Sequence, residues 1–132
     1  MNVKRIGYVG VRTDDVAGMT RFLREVVGLE AGAESETMTV QRLPTHRADL
    51  VEVYSNDHAD TRMIPEGVDF MVGFVVDDIR EALTEVKEAG LELLGKPVWA
   101  AEAFDNPDYG DLAWFFVRAP DGRVYVFEQV PD

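Results

Sequence analysis

Apolar and polar letters alternate along residues 3 to 13, VKRIGYVGVRT, with Val9 and Val11 on one parity, which predicts a strand. The TDD that follows predicts a helix start, because Asp14 or Asp15 can accept from the free amides of a first turn. Met19, Phe22, Leu23, Val26 and Val27 then recur at helical spacing and predict one buried helix face, and Gly28 stands where a left-handed stop belongs. The same devices return further along. VGVRTDDV at Val9–Val16 comes back as VGFVVDDI at Val72–Ile79, 63 positions on (72 minus 9). DFMVGFVV reads as the second strand, and Asp77 or Asp78 as its helix cap. Ile79, Ala82, Leu83 and Val86 read as the buried stripe and Gly90 as the stop.

Strand patterns follow each helix. ETMTVQRL and ADLVEVY close the first half, with a break at Pro44-Thr45. In the second half LELLGKPVWA is one interrupted strand region. LAWFFVR and RVYVFEQV form a hairpin about Ala119-Pro120-Asp121-Gly122, a type I turn with glycine where positive φ is needed. SNDHADTRMIPEG, residues 55–67, is polar and reads as a linker. The prediction is an α+β fold: a single domain over residues 1–132 made of two tandem βαβββ modules, 3–54 and 68–130. Placed side by side, the modules would form a curved mixed sheet, a cup, with the helices outside.

Strand parity then assigns a lining to that cup. Tyr8, Gly10 and Arg12 face inward from the first strand, Leu50, Glu52 and Tyr54 from ADLVEVY, and Met71, Gly73 and Val75 from the fifth strand. Val124, Val126 and Glu128 follow on the last strand. A bulge at Gly122 would pair Phe116 with Val126 and Trp114 with Glu128, turning both aromatics inward; without it Phe115 takes that place. The expected occupant is a small, flat or amphipathic organic molecule. Carboxylates over aromatic rings favour a cationic one. The alternative is a collapsed cup with Glu52 paired to Arg12 or Arg42. The irregular stretch Ala100–Asp111 reads either as a lid carrying Phe104 or Tyr109 onto a ligand, or as a plain connection.

Charge and composition narrow the function classes. The net charge is −12, from 25 acidic and 13 basic residues, which argues against nucleic acid and anionic membrane as partners. Without cysteine there is neither a disulfide framework nor thiolate chemistry. MNVKRIGYVG has no apolar signal core, so a cytoplasmic protein is expected.

IGYVGVRTDDVAGMTRFLREVVGLE, VGFVVDDIREALTEVKEAGLE and RAPDGRVYVFEQ together resemble the vicinal oxygen chelate superfamily, the glyoxalase, bleomycin-resistance and extradiol-dioxygenase group. RFLREVVGL is similar to that family's Phe-Tyr-x-x-x-Leu-Gly helix end, and APDGRVYVFEQ to its Asp-Pro-Asp-Gly-Asn hairpin. Metal enzymes of the family hold a divalent ion with one side chain from each first strand and a glutamate from each last strand. Laid on this chain, those four positions carry Tyr8, Glu52, Met71 and Val126. Only Glu52 is a ligand for a hard cation, so the resemblance implies a metal-independent member with no metal residue. Such a member would bind its small organic molecule in the manner of the resistance proteins, as a homodimer. The alternative is an enzyme, a lyase, isomerase or dioxygenase. There Glu52 would be the base and Tyr8 the acid, or a divalent metal would bind at Glu52 and Glu128. His46 and His58 are the only histidines, and both are expected in exposed turns.

Overall fold

The computed structural model describes residues 1–131. Its elements run β1 (Val3–Thr13), α1 (Val16–Arg21), β2 (Glu30–Glu34), β3 (Met38–Leu43), β4 (His46–Ser55), β5 (Phe70–Val76), α2 (Ile79–Glu88), β6 (Glu92–Trp99), α3 (Ala100–Ala103), β7 (Ala113–Arg118) and β8 (Val124–Gln129). Two βαβββ modules follow one another, and the fold is α+β as the pattern predicts. Among the described residues no helix is long and apolar enough to cross a membrane.

The chain divides into two compact units, Gly7–Met71 and a second made of Met1–Ile6 with the residues from Val72 on. In the first unit the strands lie in the order β2-β3-β4-β1. β1 runs parallel to β4 and β3 antiparallel to it, so Gly10, Glu52 and Val40 form one cross-strand row. Asp15 caps α1 by accepting from the Gly18 amide at 2.9 Å, and Gly28 stops the helical segment at φ +89°. β2 supplies the third strand that the βαβββ pattern requires after the first helix, at a place that no sequence run marks. Its sequence, EAGAE, has neither a β-branched residue nor an apolar run, and it is a strand only through its pairing with β3.

The buried face of the first helix departs from expectation. After Arg21 the helix widens into a π-turn over Phe22–Val26, closed by Val27 N donating to the Phe22 carbonyl at 3.0 Å. Of the predicted stripe, Leu23 is buried and Met19 half-buried, while Phe22, Val26 and Val27 are exposed. The cause lies in the sheet beneath. Thr39 and Gln41 are buried on the face of β3 that also carries Val51 and Val53 across the strand pairs. Buried polar groups require partners, and the helix supplies them. Thr20 and Thr39 share a hydroxyl–hydroxyl bond of 2.8 Å, and Arg24 Nε donates to Gln41 Oε1 at 3.1 Å.

In the second unit the order is β5-β8-β7-β6, with β5 parallel to β8. α2 behaves as its pattern predicts. Asp78 caps it through the amides of Arg80 and Glu81, at 3.0 and 3.2 Å. Ile79, Ala82 and Val86 pack in one core with Val76, Ala113, Phe115 and Val117. The hairpin between β7 and β8 is the expected one. Gly122, at φ +87°, donates to the Ala119 carbonyl, and the Ala119 amide donates to Arg123, which leaves Gly122 as the bulged residue. Nothing crowds the place of a Cβ at Gly122, so Gly122→Ala isolates the backbone strain. It should lower stability by about 1–2 kcal/mol in urea titration without changing the m-value.

Candidate functional site

Residues 55–67 are held against the first unit rather than strung between halves. Ile64, Pro65 and Val68 are buried, and Arg12 fastens the backbone around them. Its Nε donates to the Val68 carbonyl at 3.1 Å, Nη1 to Ser55 and His58 at 3.2 Å each, and Nη2 to Pro65 at 3.4 Å. Arg12 was expected to line the binding face as a cation. Its guanidinium is instead engaged by four carbonyls, a use that inward parity on β1 could not reveal. His58, expected in an exposed turn, is half-buried, with Nδ1 at 2.8 Å from Thr37 Oγ1 and its ring tilted against Tyr54. His46 does sit exposed, beside Asp49 at 2.9 Å.

The face opposite α1 gathers the other residues predicted for this half. Leu50 pairs with Tyr8, Glu52 with Gly10 and Tyr54 with Arg12. A Cβ built on Gly10 would lie 2.8 Å from the Tyr8 hydroxyl and 3.0 Å from the Met71 methyl. Tyr8 and Met71 therefore both reach over Gly10, beside Glu52, and the glycine is what admits them. Tyr8, Tyr54 and Met71 are buried, Leu50 and Glu52 half-buried, and the two tyrosine hydroxyls lie 3.3 Å apart.

Burial dominates the electrostatics of this group. Desolvation raises the Glu52 carboxyl above its ordinary value. Donation from Tyr8 and Tyr54 and the more distant charge of Arg42 oppose that rise without reversing it. Tyr8 and Tyr54 are both pushed up, by desolvation first and then by the Glu52 charge, so both remain neutral hydroxyls. The two arginines of this face donate elsewhere, Arg12 to the four carbonyls and Arg42 to the Arg47 carbonyl at 2.9 Å. The result is a largely desolvated carboxylate, two phenolic hydroxyls and a thioether. This donor set does not fit a divalent cation, which needs several charged or strongly donating ligands. Among the described residues no three His, Cys, Asp or Glu side chains are grouped to hold one.

In the second unit, Phe116 pairs with Val126 and Trp114 with Glu128, the register expected from the Gly122 bulge. Phe115, Phe127 and Phe74 pack on one another on the parity that faces α2. Trp114, Phe116, Val126 and Glu128 thus occupy the opposite face; Phe116, Val126 and Glu128 are buried and Trp114 half-buried. The stretch after β6 is not a bare loop. α3 and a tight turn at Pro107–Tyr109 shape it, and Phe104 lies across Trp114 with ring centres 6.2 Å apart and meets Tyr109 at 5.7 Å. Asp105 at φ +48° makes the bend between them. Sequence reading named Phe104, Tyr109 and Trp114 separately, but not the contact of Phe104 with the indole.

Comparison with known proteins agrees with the fold. Several solved structures share the fold. A glyoxalase/bleomycin resistance protein/dioxygenase superfamily member from Vibrio splendidus is 18% identical with a TM-score of 0.63, covering 95% of this chain and 97% of that one. The Mn(II)-bound glyoxalase from Novosphingobium aromaticivorans is 19% identical with a TM-score of 0.73, covering 97% of this chain and 39% of its own longer one. Methylmalonyl-CoA epimerase from Mycobacterium tuberculosis is 10% identical with a TM-score of 0.67, covering 98% and 90%. Among curated proteins no significant match is found. The family model for the Glyoxalase/Bleomycin resistance protein/Dioxygenase superfamily matches residues 5–124, which takes in both capped helices and runs to the first residue of β8. With its duplicated βαβββ modules and that match over most of its length, the chain belongs to the Glyoxalase/Bleomycin resistance protein/Dioxygenase superfamily.

Proposed function

We propose that the Tyr8–Glu52–Tyr54 group binds a small organic molecule with a cationic centre, held without a metal ion, in a role like that of the drug-sequestering resistance proteins. One observation carries the reading: burial dominates the Glu52 carboxyl, its hydrogen-bonding neighbours are the neutral hydroxyls of Tyr8 and Tyr54, and the arginines of this face, Arg12 and Arg42, donate to carbonyls instead. A buried charge without a cation is costly, and a ligand cation is the partner that would offset the cost. Tyr8 and Tyr54 add ring faces for a cation and hydroxyls for a neutral acceptor, and Met71 adds a soft apolar wall. Titration calorimetry with an aromatic ammonium compound, its uncharged isostere and its carboxylate counterpart tests the charge preference. The expected order is cation above neutral, with no heat from the anion. Equal affinity for all three, or binding of the anion, overturns the reading.

A raised carboxyl pKa beside neutral phenols also supports a second reading. Glu52 would take a proton from a carbon acid, and a tyrosine hydroxyl would steady the resulting oxyanion. Methylmalonyl-CoA epimerase and glyoxalase among the fold relatives make this class a natural rival. Deuterium wash-in to carbonyl compounds in D2O, lost in Glu52→Gln, would favour it over simple binding.

A further inference from the structure

We infer that His58 is an acid-sensitive latch on residues 55–63: neutral, its ring seats this stretch against Tyr54, and protonation releases it. The ring is wedged in place. Nδ1 lies 2.8 Å from Thr37 Oγ1, the ring tilts against Tyr54 with centres 4.8 Å apart, and the His58 carbonyl accepts from Arg12 Nη1 at 3.2 Å. Its other nitrogen, Nε2, is buried and has no hydrogen-bonding partner among the described residues. Ile64, the next residue but one after Arg62, is buried at 1% exposure, which confines a release to the turn and to its contact with Tyr54, one wall of the group around Glu52.

The orphaned nitrogen gives the ring its sensitivity. A neutral imidazole can leave Nε2 as a bare acceptor while Nδ1 donates to the Thr37 hydroxyl. An imidazolium carries a proton on both nitrogens, and the one on Nε2 is a buried charged donor with nothing to accept it. Water would accept it, but reaching water moves the ring off Tyr54. The charges around the ring do not reverse this. Arg12, from β1, is a cation and opposes a second one, and Tyr54, from β4, stays a neutral hydroxyl. Asp60, on the stretch itself, favours the imidazolium, but its carboxylate already accepts from Arg62 at 2.9 and 2.8 Å. Glu36 and Asp57 are exposed. Burial, joined by Arg12 and opposed by Asp60, accordingly holds the ring below its ordinary value of 6.5. A released ring protonates near 6.5, so seating is complete above about that pH and weakens as pH falls below it. The latch needs no ligand, so it stands or falls apart from the cation reading.

Hydrogen exchange of the full chain is the test, followed by mass on peptides covering residues 55–63 and corrected for the intrinsic pH dependence of exchange. Between about pH 7.5 and 5.5 the protection of this stretch should fall about 10-fold, the ratio set by a ring that protonates near 6.5 when released and not while seated. His58→Asn, whose amide can still meet the Thr37 hydroxyl but does not titrate, should remove the step. Glu52→Gln and His46→Gln should keep it. The His58 ring signals of the wild type, followed by NMR, should titrate below 6.5, a readout that holds even where the asparagine variant fails to fold. Protection that stays flat across this range overturns the proposal. So does a step retained in His58→Asn, a step lost in Glu52→Gln, or a ring that titrates at or above 6.5.

Discussion

Replacing Arg12 with methionine should destabilise the protein by about 3 kcal/mol, read as a lower urea midpoint at unchanged m-value. The estimate follows from what the guanidinium does. Four carbonyls, of Ser55, His58, Pro65 and Val68, accept from one side chain, and these bonds hold a segment that buries Ile64 at 1% exposure. A hydrogen bond to a charged donor is worth about 1.5–3 kcal/mol, and the four are not additive because they share one group. Methionine keeps the apolar stem and removes every donor. Arg12→Lys should recover less than half of the loss, because a single ammonium cannot span four acceptors arranged about a planar fork. Limited proteolysis should then cut between residues 55 and 67 in Arg12→Met and spare the wild type. An Arg12→Met protein of unchanged stability that had lost ligand affinity would return Arg12 to the binding face, as strand parity alone suggests.

Arg12 marks the boundary of what the sequence can disclose. Local chemistry was legible. Asp15 and Asp78 cap their helices, Gly28 and Gly90 stop them at φ +89° and +76°, and Gly122 sets the pairing of Phe116 with Val126. Each of these depends on residues within one or two turns of chain, so spacing was enough. The face shared by Tyr8, Glu52 and Tyr54 was legible for a similar reason, since a period of two leaves a strand only two sides. The misplacements all needed a partner distant in sequence. α1 turned its polar side inward because Thr39 and Gln41, a strand away, had to be satisfied. Strand β2 exists because β3 offers it hydrogen bonds, and the Arg12 guanidinium, on the face that strand parity gives it, is engaged by carbonyls more than forty positions on. Hydrophobic pattern records what a residue prefers, whereas these outcomes record which neighbour was available.

Glu52→Gln should act in opposite directions on stability and on binding. The folded carboxyl titrates above its ordinary value of 4.5, with burial as the leading cause. The folded chain therefore holds that proton more tightly than the unfolded one. Its stabilising effect is complete below about pH 4.5 and is lost as pH rises through the folded pKa. At neutral pH the ionised form carries the desolvation cost, and a glutamine of the same shape does not. The variant should accordingly melt higher than the wild type at pH 7 to 8, and the gap should close as pH falls toward 4.5. Taking the difference between the two proteins at each pH cancels the titration of every other carboxylate. Affinity for an aromatic ammonium compound should fall by roughly 1.5–3 kcal/mol, about 10- to 150-fold, the scale of a charge-assisted contact. A residue kept for structure alone cannot produce this pair of signs, because its loss would lower the melting point and leave calorimetric affinity untouched. A site kept for a cation produces both, since the cost of burying Glu52 in the free protein is what the ligand's charge relieves.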